Sequence, residues 1–271
     1  QWTPPLGAAG LSSQVALQIE ISGTSLRNLN ILLPKDTISG KANGDLILDI
    51  KKGSPILFDL KSDLVGLGIE VSALSWEKKT TTPADFEISG SLSKPITINQ
   101  FKLKSEGLST SGAMAFDDMG LKNISLNDLK VDKWLSSDVV LQRRNPGKPM
   151  QIILNGGELD LRNLPVNKST GVTAPVKANL NTVRISKNLA LTNVSATFLG
   201  GEAVTGEFSG NVNDGTSLTG SVSGRGENLR LDLFSNDAGG ALRDSGLLRQ
   251  ASGGYMELGI APAASGWNSD M

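Results

Sequence analysis

Four aspartates, Asp63, Asp160, Asp237 and Asp244, are the side chains best suited to acid–base chemistry. Two such carboxylates cleave a glycosidic bond when held about 5 to 9.5 Å apart. Nothing in the sequence brings any two to that separation, and aspartates beside strand ends commonly serve turns. Asp117-Asp118 and Asp214 offer oxygen ligands for calcium, but neither stretch follows the EF-hand loop pattern. The chain has no histidine and no cysteine. The commonest general base, the commonest metal ligand, disulfides and thiolate chemistry are thereby removed. Gly66-Leu67-Gly68 and Gly224-Arg225-Gly226 lack the third glycine and the strand–helix context of a nucleotide-binding loop. The sequence thus names no catalytic residue, no metal ligand and no cofactor site, and it argues against an enzyme.

The composition agrees. The 271 residues are 38% hydrophobic and only 4% aromatic, with 31 glycines and a net charge of −1. That is thin filling for a closed core of this size. The charge gives no electrostatic case for nucleic acid. No run of about 18 apolar residues could cross a membrane as a helix, and no signal peptide is visible. The chain starts at Gln1 and stops at Asn268-Ser269-Asp270-Met271, which reads as an internal piece of a longer protein.

The elements are strands. Phe58 and Leu60 alternate with Asp59 and Lys61, Phe86 and Ile88 with Asp85 and Glu87, and Phe101 and Leu103 with Lys102 and Lys104. Leu67, Ile69 and Val71 share a face, as do Leu46, Leu48 and Ile50, although Ile47 interrupts the polar side. Period-two alternation of this kind marks a sheet with one apolar and one wet face. Val15 to Ile21 is a strand, and Leu26 to Leu33 before Pro34 is expected to be extended. Leu121 to Val131 repeats apolar residues at mixed spacings of two and three and is ambiguous between strands and a helical turn. Residues 1–13 read as linker or the tail of a preceding strand, and 14–144 as one β segment. The break at Arg144-Asn145-Pro146-Gly147-Lys148-Pro149 leads to a second segment, 150–271. There Leu159 and Leu161 alternate with Glu158, Asp160 and Arg162. Strands follow at 176–185, 189–198, 206–212, 218–224, 229–234 and 255–260, with a hairpin turn at Asp214-Gly215. One helix is expected at 237–245, capped by Asp237 and closed by Gly246, with Leu242, Leu247 and Leu248 packing it down.

Several segments in order resemble the AsmA-like family of bacterial envelope proteins, in its large YhdP-type branch. They are Asp63-Leu64-Val65-Gly66-Leu67, Leu74-Ser75-Trp76-Glu77-Lys78, Pro95-Ile96, Gly107-Leu108-Ser109, Val131-Asp132-Lys133-Trp134 and Gly156-Gly157-Glu158-Leu159-Asp160-Leu161-Arg162. Asn236 to Arg243, Gly253-Gly254-Tyr255-Met256-Glu257-Leu258 and Gly266-Trp267 complete the series. The resemblance implies a long, twisted antiparallel sheet curled into a half-open groove. It implies a periplasmic bridge, tethered to the inner membrane by an N-terminal helix outside this chain, that carries phospholipid toward the outer membrane. Envelope protein partners at either end would fit that role. The residues then expected to line the groove are Leu46, Leu48, Phe58, Leu60, Leu67, Ile69, Val71, Phe86, Ile88, Phe101, Leu103, Leu159 and Leu161. Trp76 and Trp134 are candidates for its rim, and Lys78 and Lys79 for attracting anionic headgroups. Two other readings stay open: a structural or adhesive envelope protein with a closed β-sandwich or barrel core, and a carbohydrate-active β enzyme.

Overall fold

The computed structural model describes residues 2–3, 12–28, 37–145, 148–165, 174–200, 203–225, 228–248, 250 and 253–260. The chain divides into two compact units, Gln1–Arg143 and Arg144–Met271. It is mainly β, with a short helix near its C-terminus.

In the first unit the strands are β1 (Trp2–Thr3), β2 (Ser12–Ser22), β3 (Ile38–Lys51), β4 (Leu57–Ser62), β5 (Leu67–Val71), β6 (Trp76–Lys78), β7 (Asp85–Ser91), β8 (Thr97–Ser105), β9 (Leu108–Asp117), β10 (Gly120–Val131) and β11 (Leu135–Gln142). They form an antiparallel meander with one excursion. β4 pairs with β3 and β7, while β5 and β6 form a side hairpin on the start of β3. A short helix, α1 (Gly23–Asn28), follows β2. It was not expected: residues 26–28 are helical, and 29–33 lie outside the described residues. Its cause is local. Ser25 N donates to Ser22 Oγ at 3.3 Å while Ser22 N donates to Ser25 Oγ at 2.8 Å, a reciprocal cap at the helix start.

The second unit holds β12 (Gln151–Asp160), β13 (Val176–Arg184), β14 (Ala190–Leu199), β15 (Val204–Val212), β16 (Ser217–Arg225), β17 (Asn228–Ser235), the helix α2 (Ala238–Asp244) and β18 (Met256–Ile260). From β13 to β18 each strand is antiparallel to the next. β12 and β13 are parallel, which departs from the all-antiparallel expectation. The chain leaves β12 in a 3-10 turn, Leu161–Asn163, and re-enters the sheet at Val176 beside Ile152, near the start of β12. The hairpin turn between β15 and β16 is centred one residue earlier than expected. Asn213 and Asp214 have φ of 47° and 62°, the two left-handed positions of a type I′ turn.

β10 resolves the ambiguous stretch as one strand. Its register on β9 slips between Leu121 and Asn123 and again between Asn127 and Lys130. Each β-bulge absorbs one residue, so an apolar spacing of three still ends on the same face. Leu121, Ile124, Leu126, Leu129 and Val131 thereby share one side. At the second slip Asp128 takes φ 49°, a left-handed conformation that short polar side chains tolerate. The Asp128 amide is held by the Asp138 carboxylate on β11, at 2.8 Å. β14 repeats the device: Asn193, at φ 51°, sits within a slip between Thr192 and Ser195.

Helix α2 forms where expected. The Asp237 carboxylate accepts from Gly240 N at 2.8 Å and from Gly253 N at 3.0 Å. Gly246, at φ 78°, closes the C-terminus while Leu247 N reaches back to Leu242 O. What holds the helix differs from the expectation. Leu247 and Leu248 are 73% and 51% exposed, and the buried residues are Gly239, Gly240 and Ala241. A side chain at Gly240 would collide with Thr216 and Asp237. This close approach lets the Asp244 carboxylate accept from Thr216 N at 2.8 Å and Thr216 Oγ1 at 2.6 Å. The helix is pinned by a carboxylate over a glycine surface, not by Leu247 and Leu248.

Candidate functional site

Strand register builds an apolar face from the expected residues upward. In the first unit, successive pairings align Leu17, Leu46, Leu60, Ile88, Phe101, Gly112, Leu126 and Val139 in one row across eight strands. A second row runs Val15, Leu48, Phe58, Gly90, Ile98, Met114, Ile124 and Leu141. Directly opposed residues project to the same side, so these rows are adjacent stripes of one surface. At a strand separation of about 4.8 Å, each row is about 34 Å long. Much of the surface is incompletely covered: Leu46, Leu48, Phe58, Leu60, Phe86, Ile88 and Leu103 are half-buried, and Leu17 is 44% exposed. Ile98 and Phe101 are buried.

The opposite side of this unit is charged. Glu20 pairs with Lys41, Lys61 with Glu87 and Asp85 with Lys102, all across neighbouring strands. Such exposed pairs contribute about 0–1 kcal/mol each and serve mainly to fix register and keep that side wet.

Four phenylalanines follow a common rule: Phe58 lies opposite Gly90, Phe101 opposite Gly112, Phe198 opposite Gly206 and Phe208 opposite Gly220. A methyl group on Gly90 or Gly112 would come within 3.0 Å of the facing ring. One on Gly206 or Gly220 would collide with it outright. The rings therefore lie down over bare backbone, covering the glycines that would otherwise weaken the strands.

The expected lining residues do not all belong to this surface. Leu46, Leu48, Phe58, Leu60, Phe86, Ile88, Phe101 and Leu103 are brought together on the main sheet. Leu67, Ile69 and Val71 lie on the side hairpin. Leu67, 2% exposed, joins a cluster with Ile21, Ala42, Leu64 and Ala84, and Ile69, Leu60, Phe86 and Leu103 pack against it. Leu159 belongs to the second unit, packed against a separate cluster that includes Leu180, Val183 and Leu191. Leu161 is not on a strand. Asp160, 5% exposed, accepts from Arg162 N at 3.0 Å and from Arg162 Nε at 2.8 Å, and this turns the chain away, leaving Leu161 41% exposed. Hydrogen bonds from Arg162 hold the Asp160 carboxyl down at about 2.

The rim candidates are corrected likewise. Trp76 is 4% exposed and donates its indole N–H to Glu106 O at 2.9 Å; Trp134 is 8% exposed. Both are covered instead of projecting into solvent. Lys78 is 1% exposed. Its ammonium donates to the carbonyls of Leu64 at 2.7 Å, Leu67 at 2.8 Å and Lys79 at 3.2 Å. Burial lowers its pKa, with Asp63 opposing. It is a backbone staple out of reach of any headgroup. Parity carries the signal for this: on β6, Lys78 shares a face with Trp76.

The four aspartates weighed for acid–base chemistry each serve the backbone nearby. Asp63 accepts from Val65 N, and Asp160, Asp237 and Asp244 hold the turns and helix described above. Among the described residues no group of three or more carboxylates could hold a metal ion. The residues missed from sequence are Val15, Leu17, Ile98, Met114, Ile124, Leu126, Val139 and Leu141 of the two rows. Second-unit equivalents were also missed, such as Ala178, Ala196, Phe208 and Leu233, aligned across β13 to β17.

What this arrangement offers is non-directional burial of apolar groups. No protein-family model matches the chain, and no curated protein and no solved structure matches it either.

Proposed function

We propose that this chain is a segment of a periplasmic, bridge-like lipid-transfer protein. In this reading it carries phospholipid from the inner toward the outer membrane along its apolar face. The observation that carries the reading is the eight-strand row from Leu17 to Val139, continuous, half-covered and backed by charge. Soluble monomers seldom leave extended apolar surface open without a use. A row of about 34 Å exceeds twice the depth of one leaflet's hydrocarbon, half of a core about 30 Å thick. Each methylene kept from water is worth about 0.8 kcal/mol, so a two-chain lipid needs such a cover to leave a bilayer. The ordered resemblance to the AsmA-like family supports the same reading and adds the tether and both membranes, contacted through regions outside this chain. The mechanism is passive. Acyl chains lie on the apolar rows while headgroups stay in water, and direction and energy come from partners. The chain performs no covalent chemistry.

Native mass spectrometry of the purified protein, detergent-free and mixed with vesicles of phosphatidylethanolamine and phosphatidylglycerol, tests this. Adducts of phospholipid mass are expected. A clean unliganded mass after vesicle exposure would favour the structural envelope protein and remove the transfer reading.

A further inference from the structure

The polar side of the second unit holds a feature that lipid transfer does not use. The chain has seven phenylalanines. Register places Phe58, Phe86, Phe101, Phe116, Phe198 and Phe208 on the apolar faces of their units. Phe234 alone projects from the other side, opposite Thr219 on β16. Thr219 in turn faces Ser209 on β15, and Ser209 faces Ser195 on β14. The adjacent row on that side runs Thr197, Glu207, Ser221. Together they line an open depression of about 520 Å³ on the exposed polar face.

The hydroxyls lining it face solvent: Ser195, Thr197, Ser209 and Thr219 are exposed and Ser221 is half-buried. Among the described residues no hydrogen bond or ion pair engages the side chains of Ser195, Thr197, Ser209, Thr219, Ser221 or Glu207. Those just outside it are engaged: Thr216 binds Asp244, Ser217 binds Asn211 Oδ1, and Ser235 donates to Ser217 O at 3.1 Å. The lining has five hydroxyls, one carboxylate, two phenylalanines, of which Phe234 projects to this side, and no cation. Each hydroxyl can both donate and accept, and the carboxylate accepts from two donors. An anion finds no countercharge here, and a purely apolar guest would strand the hydroxyls.

We propose that this depression is a binding site for a neutral saccharide chain. The ligand's hydroxyls would bond the Ser and Thr rows and Glu207, and the apolar C–H face of one sugar ring would lie on Phe234. The rows repeat about every 4.8 Å across the strands, the scale of a single ring, so successive sugars of an oligomer meet successive strands. The site is on the polar face of the second unit, opposite that unit's own apolar residues, and does not depend on the lipid reading.

The test is titration of the whole chain, by isothermal calorimetry and by amide NMR shifts, with three neutral oligomers: maltohexaose, cellohexaose and chitohexaose. Binding of at least one is expected, with shifts centred on β14 to β17. Two variants separate site from fold. Phe234→Leu keeps apolar volume but removes the flat ring, and Thr219→Val keeps a β-branched side chain but removes the hydroxyl. Each is expected to weaken binding roughly tenfold, equivalent to about 1.4 kcal/mol, while Lys61→Ser on the first unit, at an exposed ion pair, leaves it unchanged. Absence of binding by all three oligomers overturns the proposal. So does unchanged affinity in a folded Thr219→Val, which decides the matter if Phe234→Leu does not fold.

Discussion

Leu60→Asp separates the apolar rows as a binding surface from the same rows as a folding core. Leu60 is half-buried between Leu46 and Ile88. Complete burial of a leucine is worth about 1.5–3 kcal/mol, so half-burial loses about 1–1.5 kcal/mol on truncation to a polar group. Leu60 packs against the buried cluster of Ile21, Ala42, Leu64, Leu67 and Ala84, but it keeps partial exposure, so the new carboxylate can turn toward water and the full penalty of a buried charge does not arise. The expected stability cost is therefore about 1–2 kcal/mol, readable as a lower urea midpoint with an unchanged slope. Binding should suffer more. A chain lying across Leu60 loses two to three methylene contacts, about 2 kcal/mol at 0.8 kcal/mol each, before the cost of drying the carboxylate. Lipid uptake from vesicles should fall by more than roughly tenfold. The control is Lys61→Ser, one residue along on the charged side, which removes only the exposed pair with Glu87 and should leave uptake unchanged. Wild-type uptake by a folded Leu60→Asp protein would refute the assignment of the face. Equal loss in Lys61→Ser would show that the effect is on folding, not on the surface.

Replacing Lys78 by Met removes the donor to three carbonyls and should destabilise the first unit by about 1–3 kcal/mol. Since burial lowers the Lys78 pKa, the folded state binds its proton less tightly than the unfolded chain. Wild-type stability should therefore gain with rising pH between that lowered value and 10.5, and urea midpoints of the variant should lack this gain. Asp160→Asn should be less stable than wild type at pH 7. The Asp160 carboxyl is held down at about 2 against an ordinary 3.8, so its contribution is complete above about pH 4. It disappears as pH falls to 2, and the two acid-denaturation curves should converge there. Asp237→Ala should cost about 1 kcal/mol through loss of the helix cap, and hydrogen exchange should accelerate at the Gly240 and Gly253 amides.

Strands were legible from sequence wherever apolar and polar residues alternate strictly, as in β4, β7 and β17. They were obscured where a bulge inserts a residue. The spacing of three at Leu126–Leu129 and Leu191–Val194 reads as helical or irregular, yet Asp128 and Asn193 absorb the extra residue. The only prior hint is a short polar side chain able to take a left-handed conformation. Helix α2 was legible because its cap and closing glycine are local. Its attachment was not, since the contact of Asp244 with Thr216 spans 28 residues. Of the apolar face, sequence supplied which residues alternate but not which strands pair. Leu67, Ile69 and Val71 alternate as well as any others, and only the pairing of β4 with β7 sets them on a side hairpin. Leu161 failed for a different reason: a buried aspartate ended the strand one residue before it.

The phenylalanines laid over glycines also bear on movement. A ring standing upright on a sheet makes a step, and a bare glycine makes a notch; a guest chain would be stopped by one and trapped in the other. Placed together, as at Phe58 with Gly90 or Phe101 with Gly112, they cancel into level ground. A flexible apolar guest shifted by one strand then exchanges its neighbours for near equivalents. Its free energy is almost constant along the row, and displacement costs only the ripple between strands. Such a surface holds its guest without fixing its position, which is the opposite of what a pocket does.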